Sequence, residues 1–292
     1  MYLLAESSSE GRRHCFQLSS QRTTQFDLCK VTLMSLLAIV YHLVPESPIL
    51  VAFNRDSSFE QVFPNPSIQS GKPRVLASTD QNGGTCLGIN QNGLFVGMTS
   101  RPKREGMGTL KSRNMLVREI LRSGSAREGL DLAMEELHNG HFRGANYVIA
   151  DSESGWVVHA GNDLNACELN QGLSIVTDSD VNGARDARGA MAQRLLTLQT
   201  LDSPVKFLAV ASKVLARSPI APDRPSMVVR DANFGTVSST LIAVGKKPRD
   251  AIYQYSNGAP DAAKYEDYSP MLRDILSRGL RESRAKANAA NA

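Results

Sequence analysis

The order in which two kinds of segment alternate constrains the fold of this chain more than any single motif. Apolar, β-rich runs come in pairs, and pairs of helical segments fall between them. The first pair, Ser35–Val44 and Pro48–Phe53, is separated by Pro45-Glu46-Ser47, a short turn that predicts a hairpin. A second hairpin is predicted over Thr85–Thr99, because Gln91-Asn92-Gly93 contains Asn-Gly, the strongest short hairpin signal. Helices fit Ser112–Arg122 and Ser125–Leu137. In the second, Ser125 stands three residues before Glu128 as in a capping box, Leu130, Met134 and Leu137 share a face, and Asn139-Gly140 ends the pattern. Strands at Ala145–Ala150, Gly155–Ala160 and Leu173–Thr177 follow, then helices at Arg188–Leu201 and Pro204–Arg217, then strands at Thr236–Gly245 and Ala251–Tyr255. That order predicts an α+β protein with helices packed outside two antiparallel sheets.

A chain of 292 residues can bury a large core, and 41% hydrophobic with 21% charged residues is a globular composition. Residues 1–33, rich in Ser, Arg, Gln and Thr without sustained periodicity, read as a disordered leader or a start codon placed too far upstream. The ordered domain is expected over 34–272, with a basic, Ala/Asn-rich tail over 273–292. Four dispersed cysteines without a CxxC pair do not form a disulfide framework and fit a reducing, cytoplasmic setting. The apolar run Leu33–Val44 is too short for a membrane span, and no small-x-small cleavage site follows it. The net charge of +4 sits largely in Arg273, Arg278, Arg281, Arg284 and Lys286, which read as a solvated helix end; no basic stripe with interleaved aromatics points to nucleic acid.

Two places could carry chemistry. Asn54-Arg55-Asp56 ends an apolar strand, where charges are rarely buried unless paired; Arg55 and Asp56 either converge on a pocket or form a turn with a local ion pair. Ser35 is ordinarily a core-facing hydroxyl. At a chain terminus it would instead carry its own base, since a free α-amine with a pKa near 7.7–8.0 can take the hydroxyl proton. Other signals are weaker. Asp178-Ser-Asp180-Val-Asn182-Gly183 matches half a calcium loop, but Gly189 stands where the bidentate Glu belongs, so an Asx-rich turn is expected. His138 and His141 flank a helix-ending Gly that breaks metal-ligand spacing. Alternation puts Thr236, Ser238 and Thr240 on one strand face, able to line a pocket, and Cys86 has no charged neighbour in sequence and reads as inert. No metal or resident cofactor is expected.

Taken together, Met34-Ser35 before an apolar strand, VAFNRD at Val51–Asp56, GGTCLGINQNGLFVGMTS at Gly83–Ser100, SRNMLV at Ser112–Val117, IVTDSDVN at Ile175–Asn182 and FGTVSSTLIAV at Phe234–Val244 resemble the NRDE family, the transport and Golgi organisation protein two-like proteins. The resemblance runs from Met34 to about Pro270. That family in turn resembles the choloylglycine-hydrolase branch of the N-terminal nucleophile hydrolases, which implies a four-layer αββα sandwich. It also implies a chain start at Met34 and a terminal Ser35 after removal of the initiator.

The departures from the family pattern fall at its working positions: Ser35 for Cys, Ser57 for the Glu of the motif, Ser100 for Asn, and Asp178 for an Asn that would help form an oxyanion hole. A carboxylate donates no hydrogen bond unless protonated, and one lost donor costs roughly 10²–10³ in rate. The resemblance therefore implies two readings. In one the chain hydrolyses amide, ester or thioester bonds, with Ser35 as nucleophile, Asn54, Arg55 and Asp56 around it, and Ser100 and Asp178 near the oxyanion. In the other it binds an amphipathic anion such as haem or acyl-CoA without catalysis, through Arg55, Arg101, Lys103 and Ser238.

Overall fold

Both arms of the first hairpin are apolar on both faces, so each must be covered twice. In the computed structural model, which describes residues 35–104, 109–183, 186–218 and 225–290, this is what happens. Strand β1 (Leu36–Val44) pairs antiparallel with β2 (Ser47–Ser58), and successive side chains enter different cores. Leu37, Ile39, Val51 and Phe53 belong to one cluster; Leu36, Ala38, Leu50 and Ala52 belong to the other. Period-two alternation causes the split. Each large side chain so buried contributes about 1.5–3 kcal/mol.

These strands are central in the first sheet, whose order is β10-β1-β2-β11-β12-β13. Its other members are β10 (Gly172–Val176), β11 (Phe234–Val244), β12 (Ile252–Ser256) and β13 (Glu266–Asp267). The second sheet runs in sequence order through β3 (Ser67–Gln69), β4 (Val75–Ala77), β5 (Leu87–Asn90), β6 (Phe95–Ser100), β7 (Ala145–Ala150), β8 (Gly155–Ala160) and β9 (Leu164–Glu168). Every pairing is antiparallel. The sheets meet face to face: a Cβ added at Gly97 of β6 would lie 2.6 Å from Leu37 Cδ1 of β1.

Helices α1 (Arg113–Ile120) and α2 (Ala126–Asn139) cover the second sheet; α3 (Ala187–Thr197) and α4 (Pro204–Leu215) cover the first. The result is the expected α+β, αββα sandwich of two antiparallel sheets. Ser125 Oγ accepts from the Glu128 N–H as its capping role requires, although Glu128 closes back on the Gly124 N–H and not on Ser125.

Four short strands escape the sequence reading. β3 lies inside the segment read as a Pro/Ser/Asn-rich loop, and β4, β9 and β13 are short. The segment read as a basic tail is the larger part of helix α5 (Ser269–Ala290), whose Leu272, Ile275, Leu276 and Gly279 are buried. Its apolar positions at i, i+3, i+4 and i+7 dock it before the charged positions take over. The leader over 1–33, with Met34, lies outside the described residues.

Candidate active site

Strand register assembles the site. Leu37 of β1 pairs with Val176 of β10, and Leu36 pairs with Asn54 of β2. Continuing the β1–β2 register places Ser35 opposite Arg55, while Asp178 lies in the bend that follows β10. Ser35 and Arg55 share the parity of Leu37 and Phe53, which face the second sheet. Ser238 of β11 pairs with Arg55 and extends the row. Ser35, Arg55 and Ser238 thus follow one row across β1, β2 and β11.

Ser35 is buried, and its Oγ accepts the Asp56 N–H at 3.1 Å. Arg55 is only 6% exposed, with its guanidinium carbon 3.1 Å over the centroid of the Phe63 ring. It has no hydrogen bond or ion pair to any described residue. Burial pushes the Cys86 thiol and the Tyr255 phenol up, against the pull of the Arg55 charge on both. Cys86 therefore does have a charged neighbour, and is still held as a thiol. A buried guanidinium without a carboxylate partner is rare, and its planar fork of donors matches carboxylate or phosphate oxygens.

The same parity separates residues that the sequence reading brings together. Asn54 and Asp56 point to the opposite face of the sheet from Arg55 and Ser35. Asn54 is fully buried, and its Nδ2 donates to the carbonyls of Leu215 and Met227, sewing the end of α4 to the following segment. Asp56 accepts Arg188 Nη1 at 2.7 Å and Thr236 Oγ1 at 2.6 Å. Burial pushes its carboxyl up, against the pull of Arg188 and Thr236. Asp56 thus reaches Ser35 through its backbone, whose N–H donates to Oγ at 3.1 Å and whose carbonyl accepts from it at 3.5 Å.

A register shift between Thr236 and Ser238 breaks the expected shared face, turning Thr236 to Asp56 while Ser238 stays beside Arg55. Ser100 is also re-assigned. Gly97 faces the first sheet, so alternation puts Thr99 there and Ser100 on the helix side; Thr99 Oγ1 donates to the Thr177 carbonyl at 2.5 Å. Arg101 is not an open cation, since it pairs with Asp180 at 2.6 Å and donates to Asn146 Oδ1 at 3.2 Å. Lys103 is exposed.

Asp178 sits where two acids compete. Burial and the neighbouring Asp186 push its carboxyl up, opposed by Arg188 and Arg101. Asp186 is itself occupied, accepting the Thr177 hydroxyl and capping α3 through the Arg188 N–H. Beyond it the Asp-rich segment is a turn: Asn182, at φ 55°, accepts the Ile175 N–H at 2.8 Å. Among the described residues no group of His, Cys, Asp or Glu side chains could hold a metal ion.

One cluster nearby was not read from sequence. Asn146 Nδ2 donates to the carbonyls of Thr177 and Ser179, so its Oδ1 is the atom facing His159 Nδ1 at 2.8 Å. His159 Nδ1 then carries the proton, and Nε2 faces Cys167 Sγ at 3.8 Å. Burial pushes the imidazole down and the thiol up, so both rest neutral. Only parity on β7, β8 and β9 could have signalled the group, and β9 itself was missed.

Residues 34–256 match the model of the family described as Transport and Golgi organisation 2. No curated protein sequence matches the chain. Among solved structures, a Caenorhabditis elegans N-acylethanolamine-hydrolyzing acid amidase ortholog is similar at 14% identity over 71% of this chain and 92% of its own, with a TM-score of 0.47. A mutant of a conjugated bile acid hydrolase from Clostridium perfringens is similar at 14% identity, over 81% and 96%, with a TM-score of 0.43. A penicillin V acylase from Agrobacterium tumefaciens is similar at 13%, over 76% and 82%, with a TM-score of 0.44.

Proposed function

The chain belongs to the Transport and Golgi organisation 2 family, and from that premise we propose that it is a hydrolase of amide, ester or thioester bonds in anionic amphipathic substrates, with Ser35 as an N-terminal nucleophile. The observation that carries this reading is the row Ser35–Arg55–Ser238 on the face between the sheets, which sets a buried guanidinium on the strand beside the hydroxyl. With its α-amine free, Ser35 supplies both nucleophile and base. The amine takes the hydroxyl proton, Oγ attacks the carbonyl carbon, and the same proton passes to the leaving group as its bond to that carbon breaks. The amine then takes a proton from water, whose oxygen attacks the acyl ester, and returns that proton to Oγ as the acid leaves. Arg55 holds the anionic end of the substrate, with Ser238 beside it. Asp178 stabilises the developing oxyanion as the neutral acid, the form that burial and Asp186 favour.

The test is a chain that begins at Ser35, assayed on an amphipathic N-acyl amide and its thioester. Ser35→Ala should abolish turnover while substrate affinity stays within about twofold, since truncating a hydroxyl removes no binding contact. Arg55→Ala should weaken affinity by about 1.5–3 kcal/mol, the worth of a hydrogen bond to a charged group. Hydrolysis retained by Ser35→Ala ends the catalytic reading.

A second reading, a non-catalytic carrier of haem, acyl-CoA or a similar anion, is supported by the bonds that tie Asn54 and Asp56 into the scaffold and by the departures at Ser57, Ser100 and Asp178. A carrier would lose affinity on Arg55→Ala and be indifferent to Ser35→Ala.

A further inference from the structure

Read as sequence, the basic residues late in the chain are a solvated helix end. The fold adds a second set to them. The loop after β11 brings Lys246, Lys247 and Arg249 against α5, where Lys247, Pro248, Arg249, Leu280 and Arg281 line one surface groove. Arg284 follows Leu280 by one helical turn and shares its face. A deeper cleft of about 740 Å³ adjoins the groove, with Lys246 and Lys286 at its rim and Val44, Val244 and Leu276 among its lining. Of the acids at this end, Asp250 lies 3.8 Å from Arg249, Glu282 accepts Gln91 Nε2, Glu153 lines the cleft, and Glu46 is exposed in the β1–β2 turn, where its backbone carbonyl accepts the Lys246 N–H. Lys246, Lys247, Arg281, Arg284 and Lys286 have no ion pair among the described residues.

Two large apolar side chains stand exposed at this end: Leu280, 41% exposed in the groove, and Leu43, 44% exposed at the end of β1, where the pairing with β2 shifts register. No Phe, Tyr or Trp lines either the groove or the cleft, where His42 supplies an imidazole. An exposed leucine among unpaired cations fits a charged interface with an apolar layer beneath it. We propose that this end of the sandwich docks on an anionic membrane surface, with Arg281, Arg284, Lys286, Lys246 and Lys247 at the headgroups and Leu280 and Leu43 dipping below them. The docking is peripheral, because no helix among the described residues is long and apolar enough to cross a membrane. The surface lies at the opposite end of β1 from Ser35, about 30 Å away at the rise of a strand.

The experiment is co-sedimentation of the full chain with phosphatidylcholine vesicles, with and without phosphatidylserine, at two salt concentrations. Binding is expected only with phosphatidylserine, weakening as salt rises. The triple variant Arg281→Gln, Arg284→Gln, Lys286→Gln should weaken it about 100-fold, at the usual contribution of each cation near an anionic surface. Leu280→Ala should weaken it severalfold with the salt dependence kept. All three positions are exposed, and circular dichroism checks that the variant folds. Equal binding to neutral vesicles, no binding to phosphatidylserine vesicles, or full binding by the triple variant overturns the proposal. So does a DNA duplex bound as tightly as the vesicles, which would make the patch a general polyanion site.

Discussion

Removing the Asp56 carboxylate breaks a buried ion pair, because its side chain and that of Arg188 are 0% and 8% exposed. Asp56→Ala should therefore lower unfolding free energy by about 3–5 kcal/mol, measurable by urea titration. A purely catalytic Asp56 would instead lose activity at unchanged stability. The three motif residues are adjacent in sequence, yet strand parity sends Arg55 to one face and its neighbours to the other. That division follows from position alone, once Ser35 and Arg55 are counted from Leu37 and Phe53. What the sequence could not show is the partner of Asp56, since Arg188 lies on a helix far along the chain. In the proposed mechanism Asp178 sets the pH dependence. Its neutral form is the useful one, so activity should fall as pH rises through its upward-shifted pKa, while the Ser35 amine gains its base form in the same direction. Asp178→Asn donates at every pH. It should remove that fall, with the gain in turnover greatest on the alkaline side, and leave only the amine's rising limb in the pH–rate profile. An unchanged profile would remove Asp178 from the oxyanion site.

At the scale of elements, the pairs of strands and helices with strong periodicity were legible, and those without it were not. Strand β9 has exposed residues on a sheet edge and too little apolar alternation to stand out. α5 was hidden for another reason: its Ala- and Arg-rich second half dominates the composition, while the docking face is four buried positions in its first half. Gly279 is the closest of these. A Cβ there would collide with the Gln91 carbonyl oxygen, in the Asn-Gly turn between β5 and β6. Gly279→Ala should lift the helix from that turn and cost about 1–3 kcal/mol, the range for overpacking. Hydrogen exchange would check it: faster exchange confined to α5 and the 90–94 turn is expected, and unchanged protection would mean that the turn yields instead. The shift between Thr236 and Ser238 was equally invisible, because an even run of Thr and Ser carries no signal of where pairing slips.

At the scale of the molecule, the sandwich separates its two proposed activities along the length of one strand. Ser35 precedes β1 at the end where Arg55 and Ser238 pair; Leu43 stands at its other end, toward α5 and the loop after β11 with their cations. Between them lies an apolar interior in which Leu37, Ile39, Val51 and Phe53 are at most 2% exposed. Sites more than about 7–10 Å apart without shared partners perturb one another by no more than about 0.3–0.5 kcal/mol. The triple Gln variant on α5 should therefore leave Ser35-dependent turnover on a dissolved substrate unchanged, and Ser35→Ala should leave vesicle binding unchanged. With substrate dissolved in phosphatidylserine vesicles, the same triple variant should lose rate in proportion to the protein no longer sedimenting. If dissolved substrate also reacts more slowly, the ends are coupled through the sheets. If the rate in vesicles is unaffected, docking at α5 does not deliver the active end to its substrate, and the two ends serve separate purposes.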